Sequence, residues 1–159
     1  MTRRVQTTTR REVPVVSIFL SSPGDVAEER KLARQLIDAE LPKLPSLRGR
    51  LALELIAWDD PAAQIPMLAT ETPQQSLNAA RPRPATCDIV IVILWSRMGT
   101  ALPDNLRKAN GEPYLSGTEW EYEDAVNSAQ EPRPEVLVYR RTEEPKIGLR
   151  DPQKKEKEE

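Results

Sequence analysis

Proline-free windows divide the chain, and each window has its own apolar periodicity. Val15-Val-Ser-Ile-Phe-Leu-Ser21 is a nearly continuous apolar run rich in β-branched residues, which predicts a strand buried on both faces. Gly24–Leu41 sets Val26, Ala33, Leu36, Ile37 and Leu41 at helical spacing behind Asp25, Glu28 and Glu29, acids that suit a helix start. Leu51–Trp58 alternates and then turns fully apolar, a second strand. Thr72–Ala80 reads as a short helix capped by Thr72 with Pro73 at its first position. Ile89-Val-Ile-Val-Ile-Leu-Trp95 is the strongest strand signal in the chain. Thr118–Gln130 is helical, with Tyr122, Ala125, Val126 and Ala129 forming the stripe predicted to face the sheet. Val136–Tyr139 is a last short strand. The order β-α-β-α-β-α-β implies an α/β fold in three layers: a small, mostly parallel sheet of four to five strands flanked by helices.

Composition narrows the chemistry. The chain has 159 residues, room for one ordinary domain, with 23 basic against 25 acidic residues and a net charge of −2. That balance gives no support to a nucleic-acid binder working through bulk positive charge. No histidine is present, which excludes imidazole catalysis and Cys/His zinc sites, and no metal site is expected. Cys87 is the only cysteine; it excludes an internal disulfide and fits a reducing, cytoplasmic setting. The longest apolar run, Ile89–Trp95, is too short to cross a bilayer, so no membrane partner is expected. The expected organisation is a flexible basic arm over residues 1–12, one domain over 13–145, and a charged tail over 146–159 that reads as a linker or the start of a truncated helix of a longer protein.

In an open parallel sheet, ligands bind outside the carboxyl ends of the strands, where successive connections diverge to opposite faces. Three segments converge there: Ser21-Ser-Pro-Gly-Asp25, Ser96-Arg-Met-Gly-Thr100, and the helix start Ser116-Gly-Thr-Glu-Trp-Glu-Tyr-Glu-Asp124. Of the four acids, Glu121 lies at the border of the expected buried stripe, whereas Glu119 and Glu123 point more toward solvent. A catalytic carboxylate and a plain helix-start acid are equally compatible with Glu121 by position. Ser22 and Gly24 fit either an anion-binding turn or a capped turn with Asp25 in its first turn. Arg97 suits phosphate binding or pairing with a helix-start glutamate, and Gly99 permits a sharp turn. Trp58, Trp95 and Trp120 are pocket walls or packing residues.

These segments together resemble a TIR-like domain found at the N-terminus of multidomain proteins that carry NACHT-type ATPase, WD-repeat or TPR modules. The resemblance rests on Ser17-Ile-Phe-Leu-Ser-Ser-Pro-Gly-Asp25 with Ala-Glu-Glu-Arg30, on Cys87–Gly99, and on Ser116–Ala125, and it spans Val15 to Arg141. The family is similar to TIR domains and to nucleoside 2-deoxyribosyltransferases, so the resemblance implies a flavodoxin-like fold and action on N-glycosidic bonds. In the transferases a glutamate follows a Gly-Thr-x-aromatic run, and Gly117-Thr-Glu-Trp-Glu121 has that form. The resemblance therefore implies Glu121 as the catalytic carboxylate, with Ser21, Ser22, Gly24, Asp25, Arg97, Gly99 and Trp120 as ligand-binding residues. It implies no cofactor, NAD or a related nucleotide as substrate, and a signalling or effector role of the kind found in bacterial defence. The implied partners are further copies of the chain and downstream ATPase or repeat domains. The alternative is a non-catalytic module that self-associates when its ATPase neighbour assembles. A base-exchange transferase is a third possibility.

Overall fold

The computed structural model describes residues 12–57, 82–102 and 106–145; the expected Thr72–Ala80 helix and Trp58 lie outside them. Four parallel strands form one sheet: β1 (Val15–Ser21), β2 (Ala52–Ala57), β3 (Ile89–Leu94) and β4 (Glu135–Arg140), in the order β2-β1-β3-β4. All four strands expected from the apolar windows are present, within a residue or two of the expected bounds. A helical stretch follows β1. It opens with a 3-10 turn at Gly24–Val26, continues as α1 (Ala27–Gln35) and a π turn at Leu36–Glu40, and closes in a 3-10 turn at Leu41–Lys43. Pro42 and Pro45 explain its end, since neither can donate a backbone hydrogen bond. A second helix, α2 (Gly117–Val126), precedes β4. This is a small α/β fold of the flavodoxin-like kind.

The strand order explains why the helices separate. From the central β1–β3 pair, one connection runs outward to β2 and the other outward to β4, in opposite directions. Right-handed crossovers running in opposite directions place their helices on opposite faces of the sheet. Strand alternation supplies an apolar surface to each. Phe19, Ile56, Val90 and Val92 pack with Ala125 of α2 on one face. Leu20, Ala57 and Ile93 pack with Val26, and with the half-buried Ala33 of α1, on the other. The buried positions of the first helical stretch, Val26, Arg30 and Ile37, follow helical spacing, but Leu36 from the expected stripe is more than half exposed. An arginine occupies the buried face instead.

The larger correction concerns α2. Tyr122 and Val126, expected against the sheet, are exposed, and Ala129 is exposed beyond the helix end. The buried residues are Thr118, Glu121, Ala125 and Ser128, spaced three, four and three apart. The helix is thus rotated from the apolar stripe, and Glu121 lies within its buried face rather than at the border. Polar anchors fix this rotation. The Ser116 hydroxyl accepts from the Glu119 N–H (3.1 Å), and the Glu119 carboxylate accepts from the Leu115 N–H (2.6 Å), a variant of the reciprocal helix-start cap. At the other end the Ser128 hydroxyl donates to the Ala85 carbonyl (2.8 Å).

Leu20 is fully buried, whereas Leu115 is two-thirds exposed. Leu20→Ala should lower unfolding free energy by about 2–5 kcal/mol in urea titrations. Leu115→Ala should change it by less than about 0.5 kcal/mol. Equal losses would contradict this assignment of the core.

Candidate functional site

The site is built where β1 and β3 end. β1 delivers Ser21 and Ser22, both buried, to the carboxyl edge of the sheet. From the opposite side the buried face of α2 brings in Glu121, 7% exposed, and the Ser21 hydroxyl donates to its carboxylate at 2.5 Å. The two residues are 100 positions apart in the chain. The Glu121 carboxyl is pushed up to about 7, chiefly because burial disfavours its charged form. The Ser21 hydrogen bond and the charge of Arg30 partly offset that rise.

Arg30 is the residue that sequence reasoning did not assign. It is buried, and its Nε donates to the Ser22 hydroxyl (2.7 Å) while Nη2 donates to the Pro23 carbonyl (2.7 Å). The signal was legible: Arg30 sits four residues after Val26 and seven before Ile37, in line with buried positions. A guanidinium there must be bonded, and it fixes the loop that follows Ser21.

Asp25 lies in the first turn, as expected, and does more than favour a helix start. Its Oδ2 accepts from the Ser96 N–H (3.1 Å), the Ser96 hydroxyl (2.9 Å) and the Arg97 N–H (3.1 Å). It thereby ties the loop after β1 to the loop after β3. Asp25 Oδ1 is buried and has no hydrogen-bond partner among the described residues. Gly99 has φ +109°, and a Cβ there would lie 3.4 Å from Thr118 Oγ1, 3.5 Å from Ser116 Cβ and 3.6 Å from Pro23 Cβ. Three segments therefore meet at this glycine, and only glycine accepts its backbone conformation readily.

Other expected site residues lie apart from this cluster. The Arg97 side chain is exposed and, among the described residues, makes no ion pair with a helix-start glutamate. Gly24 is exposed in a three-residue turn whose cap position, Pro23, offers no side-chain hydrogen bond. Trp120 lies on the outer flank of α2. It lines a cavity of about 500 Å³ with Arg83, Tyr114, Asp124 and Asn127, and the Arg83 guanidinium sits 5.8 Å from its ring centroid.

Glu119 and Glu123 do not simply face solvent. Lys108 donates to both, at 2.6 and 2.8 Å, and those bonds hold its ammonium well above its ordinary value. Asp124 pairs with Arg83 and accepts from the Ala85 N–H (2.9 Å). Glu121 is the one acid of the four bonded to a hydroxyl, and it points into the β1–β3 end. Among the described residues no group of His, Cys, Asp and Glu is arranged to hold a metal ion, and no helix is long and apolar enough to cross a membrane. No protein-family model, curated protein or solved structure matches the chain.

A carboxyl whose folded value lies above its ordinary 4.5 keeps its proton in the native state while the unfolded chain has lost it. Its contribution to stability therefore falls as pH rises from about 4.5 to about 7 and stays low above that. Glu121→Gln should remove this loss and raise stability at pH 8, by at most about 3 kcal/mol, with little change at pH 4.5. Urea midpoints measured across that range check the slope. A variant destabilised equally at both pH values would contradict the burial of this acid.

Proposed function

We propose that this domain cleaves the N-glycosidic bond of NAD or a related nucleotide, with Glu121 as the catalytic carboxylate. The observation carrying this reading is the buried, hydroxyl-bonded Glu121 at the carboxyl ends of β1 and β3. That end of the strands is where an open parallel sheet binds its ligands. A buried acid with a raised value and a specific partner at such a place is a functional-site candidate.

The chemistry needs neither histidine nor metal. In a ribosyl–pyridinium bond the leaving base already carries positive charge. As the C1′–N bond breaks, its electron pair goes to the base nitrogen and neutralises it. The sugar becomes cationic at C1′ and is stabilised by the carboxylate beside it, as in glycoside hydrolysis. Water then adds to C1′ and releases a proton, giving the free base and the ribosyl product. Ser21 holds the carboxylate in one orientation, and Arg30 fixes the adjoining loop. The Gly117-Thr-Glu-Trp-Glu121 run, of the form seen in nucleoside 2-deoxyribosyltransferases, supports the same residue. The wider context, an N-terminal TIR-like effector of an ATPase-type signalling protein acting in the cytoplasm, belongs to this proposal.

A second reading, a non-catalytic self-association module, is favoured by one specific observation: the exposed apolar residues of β4.

The test measures NAD consumption by the full chain tethered at high local density, because activity in domains of this type can depend on assembly. Glu121→Gln should lower turnover by on the order of 10²–10³-fold while remaining folded. The wild-type pH–rate profile should rise through about 7, as the carboxylate form becomes populated. Ser21→Ala should move that rise to higher pH, since the lost hydrogen bond favours the ionised acid. Equal turnover by wild type and Glu121→Gln would remove Glu121 from the mechanism. A clustered wild type inert toward NAD and other nucleotides would sink the catalytic reading.

A further inference from the structure

β4 is an edge strand that carries an apolar centre into solvent: Leu137 is 42%, Val138 52% and Tyr139 56% exposed. Among the described residues no strand pairs with its outer side. A long, apolar, unprotected edge of this kind is a template for pairing with another strand. Natural edges are blunted by charges, prolines or bulges; here Glu135 and Arg140 stand only at the strand ends, and Pro134 precedes the strand.

The hydrogen-bonding parity of β4 determines how a partner would fit. Glu135 and Arg141 donate their backbone N–H groups to Asp88 and Leu94 on the β3 side, both at 2.9 Å. Ladder bonding alternates along a strand, so Val136, Val138 and Arg140 turn their N–H and C=O groups outward. An antiparallel partner must match outward residues to outward residues. For two copies of β4 the registers of greatest overlap that satisfy this are centred on Val138 or on Leu137. Centred on Leu137, Pro134 falls at an outward bonding position opposite Arg140 and has no N–H to give. Centred on Val138, three bonded pairs form without proline: Val136 with Arg140, Val138 with Val138, and Arg140 with Val136. Between them Leu137 lies opposite Tyr139, at the close non-bonded spacing where apolar pairs gain most. At the strand ends Glu135 falls opposite Arg141, whose guanidinium is already paired with Glu29 and Glu143 of its own chain.

We propose that two copies of this chain associate through β4 about a two-fold axis at Val138, extending the four-stranded sheet across the dyad. The occupant of the edge is a second copy because the strand is complementary to itself in this register, in bonding parity and in apolar pairing. The interface is isologous and closes at two. It is independent of the role proposed for Glu121, which lies on α2.

Crosslinking and sedimentation of the full chain test the register and the dimer together. In the Val138-centred register the two Val138 Cα atoms lie about 5.5 Å apart, within disulfide reach. The two Leu137 Cα atoms are diagonal at roughly 7–8 Å, outside it. Under mild oxidation Val138→Cys should form a covalent dimer at least about tenfold faster than Leu137→Cys. The native Cys87 does not compete, being buried with its thiol pushed up to about 11. Sedimentation equilibrium at about 0.1–1 mM, the range suited to a small interface, should show a wild-type dimer. Val138→Lys, which sets two ammonium groups at the dyad, should return it to monomer with NAD turnover per tethered chain unchanged. A wild type that remains monomeric across this range overturns the proposal, as does a Val138→Lys variant that dimerises as well as wild type. Faster crosslinking through Leu137→Cys overturns the register. Loss of turnover in Glu121→Gln with dimerisation intact bears only on the catalytic reading.

Discussion

The structure turns on the burial of one ionisable carboxyl in the helix face that covers an apolar sheet. A helix packed through Tyr122 and Val126 would have satisfied hydrophobic burial more directly. This chain instead buries Thr118, Glu121, Ala125 and Ser128, and almost every other contact of α2 makes that rotation tenable. Ser116 and Glu119 cap the helix start, and Ser128 anchors its end. Lys108 gathers Glu119 and Glu123, and Arg83 takes Asp124. Three of the four acids are thus held in ion pairs. Glu121 is given a hydroxyl, and its nearest charge compensation, Arg30, is bonded to the Ser22–Pro23 loop. A hydroxyl orients a carboxylate without neutralising it, so burial can dominate its protonation.

The scaffold around that acid is held at both ends of the central strand pair. At the amino end, Asp88 Oδ2 accepts from the Ser17 N–H and hydroxyl, both at 2.7 Å, and these bonds keep its carboxyl below the ordinary range. At the carboxyl end, Asp25 clamps Ser96 and Arg97. β1 and β3 already share a parallel ladder, so these carboxylates add little to pairing itself. Their effect is positional. They fix where the chain leaves each strand, and with Gly99 seated against Ser116, Thr118 and Pro23 they fix the helix start relative to Ser21. Ser21 and Glu121 are brought within bonding distance by rigid elements rather than by loops.

How much of this was legible follows from what each residue type reports. The strands were, because β-branched apolar runs such as Ile89–Leu94 have few alternatives, and prolines confine them. The three segments meeting at the β1 and β3 ends were also legible, because that meeting follows from strand order and crossover hand. The rotation of α2 was not. Apolar periodicity assumes that a helix buries its apolar stripe, and here caps and ion pairs override it, moving Glu121 from the border to the buried face. Arg30 was overlooked for the same reason, since an arginine among Val26, Ala33 and Ile37 breaks an apolar stripe instead of extending it. Trp120 lines a cavity, but not one shared with Glu121. Adjacent residues on a helix diverge by about 100°, so the ring beside Glu121 in sequence lies on the flank with Arg83.

The geometry of the edge strand limits what self-association can do for the site. In a continuous antiparallel sheet the dyad stands perpendicular to the sheet, because opposed residues share a face. Both copies of α2 then lie on the same side, but the strands run in opposite directions. The carboxyl ends of β1 and β3 in one copy point away from those of the other. The two Glu121 positions are separated at opposite ends of the extended sheet, and neither copy lends a residue to its partner's Ser21–Glu121 pair. Pairing through β4 also consumes its own surface and stops at two, unlike a head-to-tail contact, which propagates. Any denser clustering would therefore have to use a face other than β4.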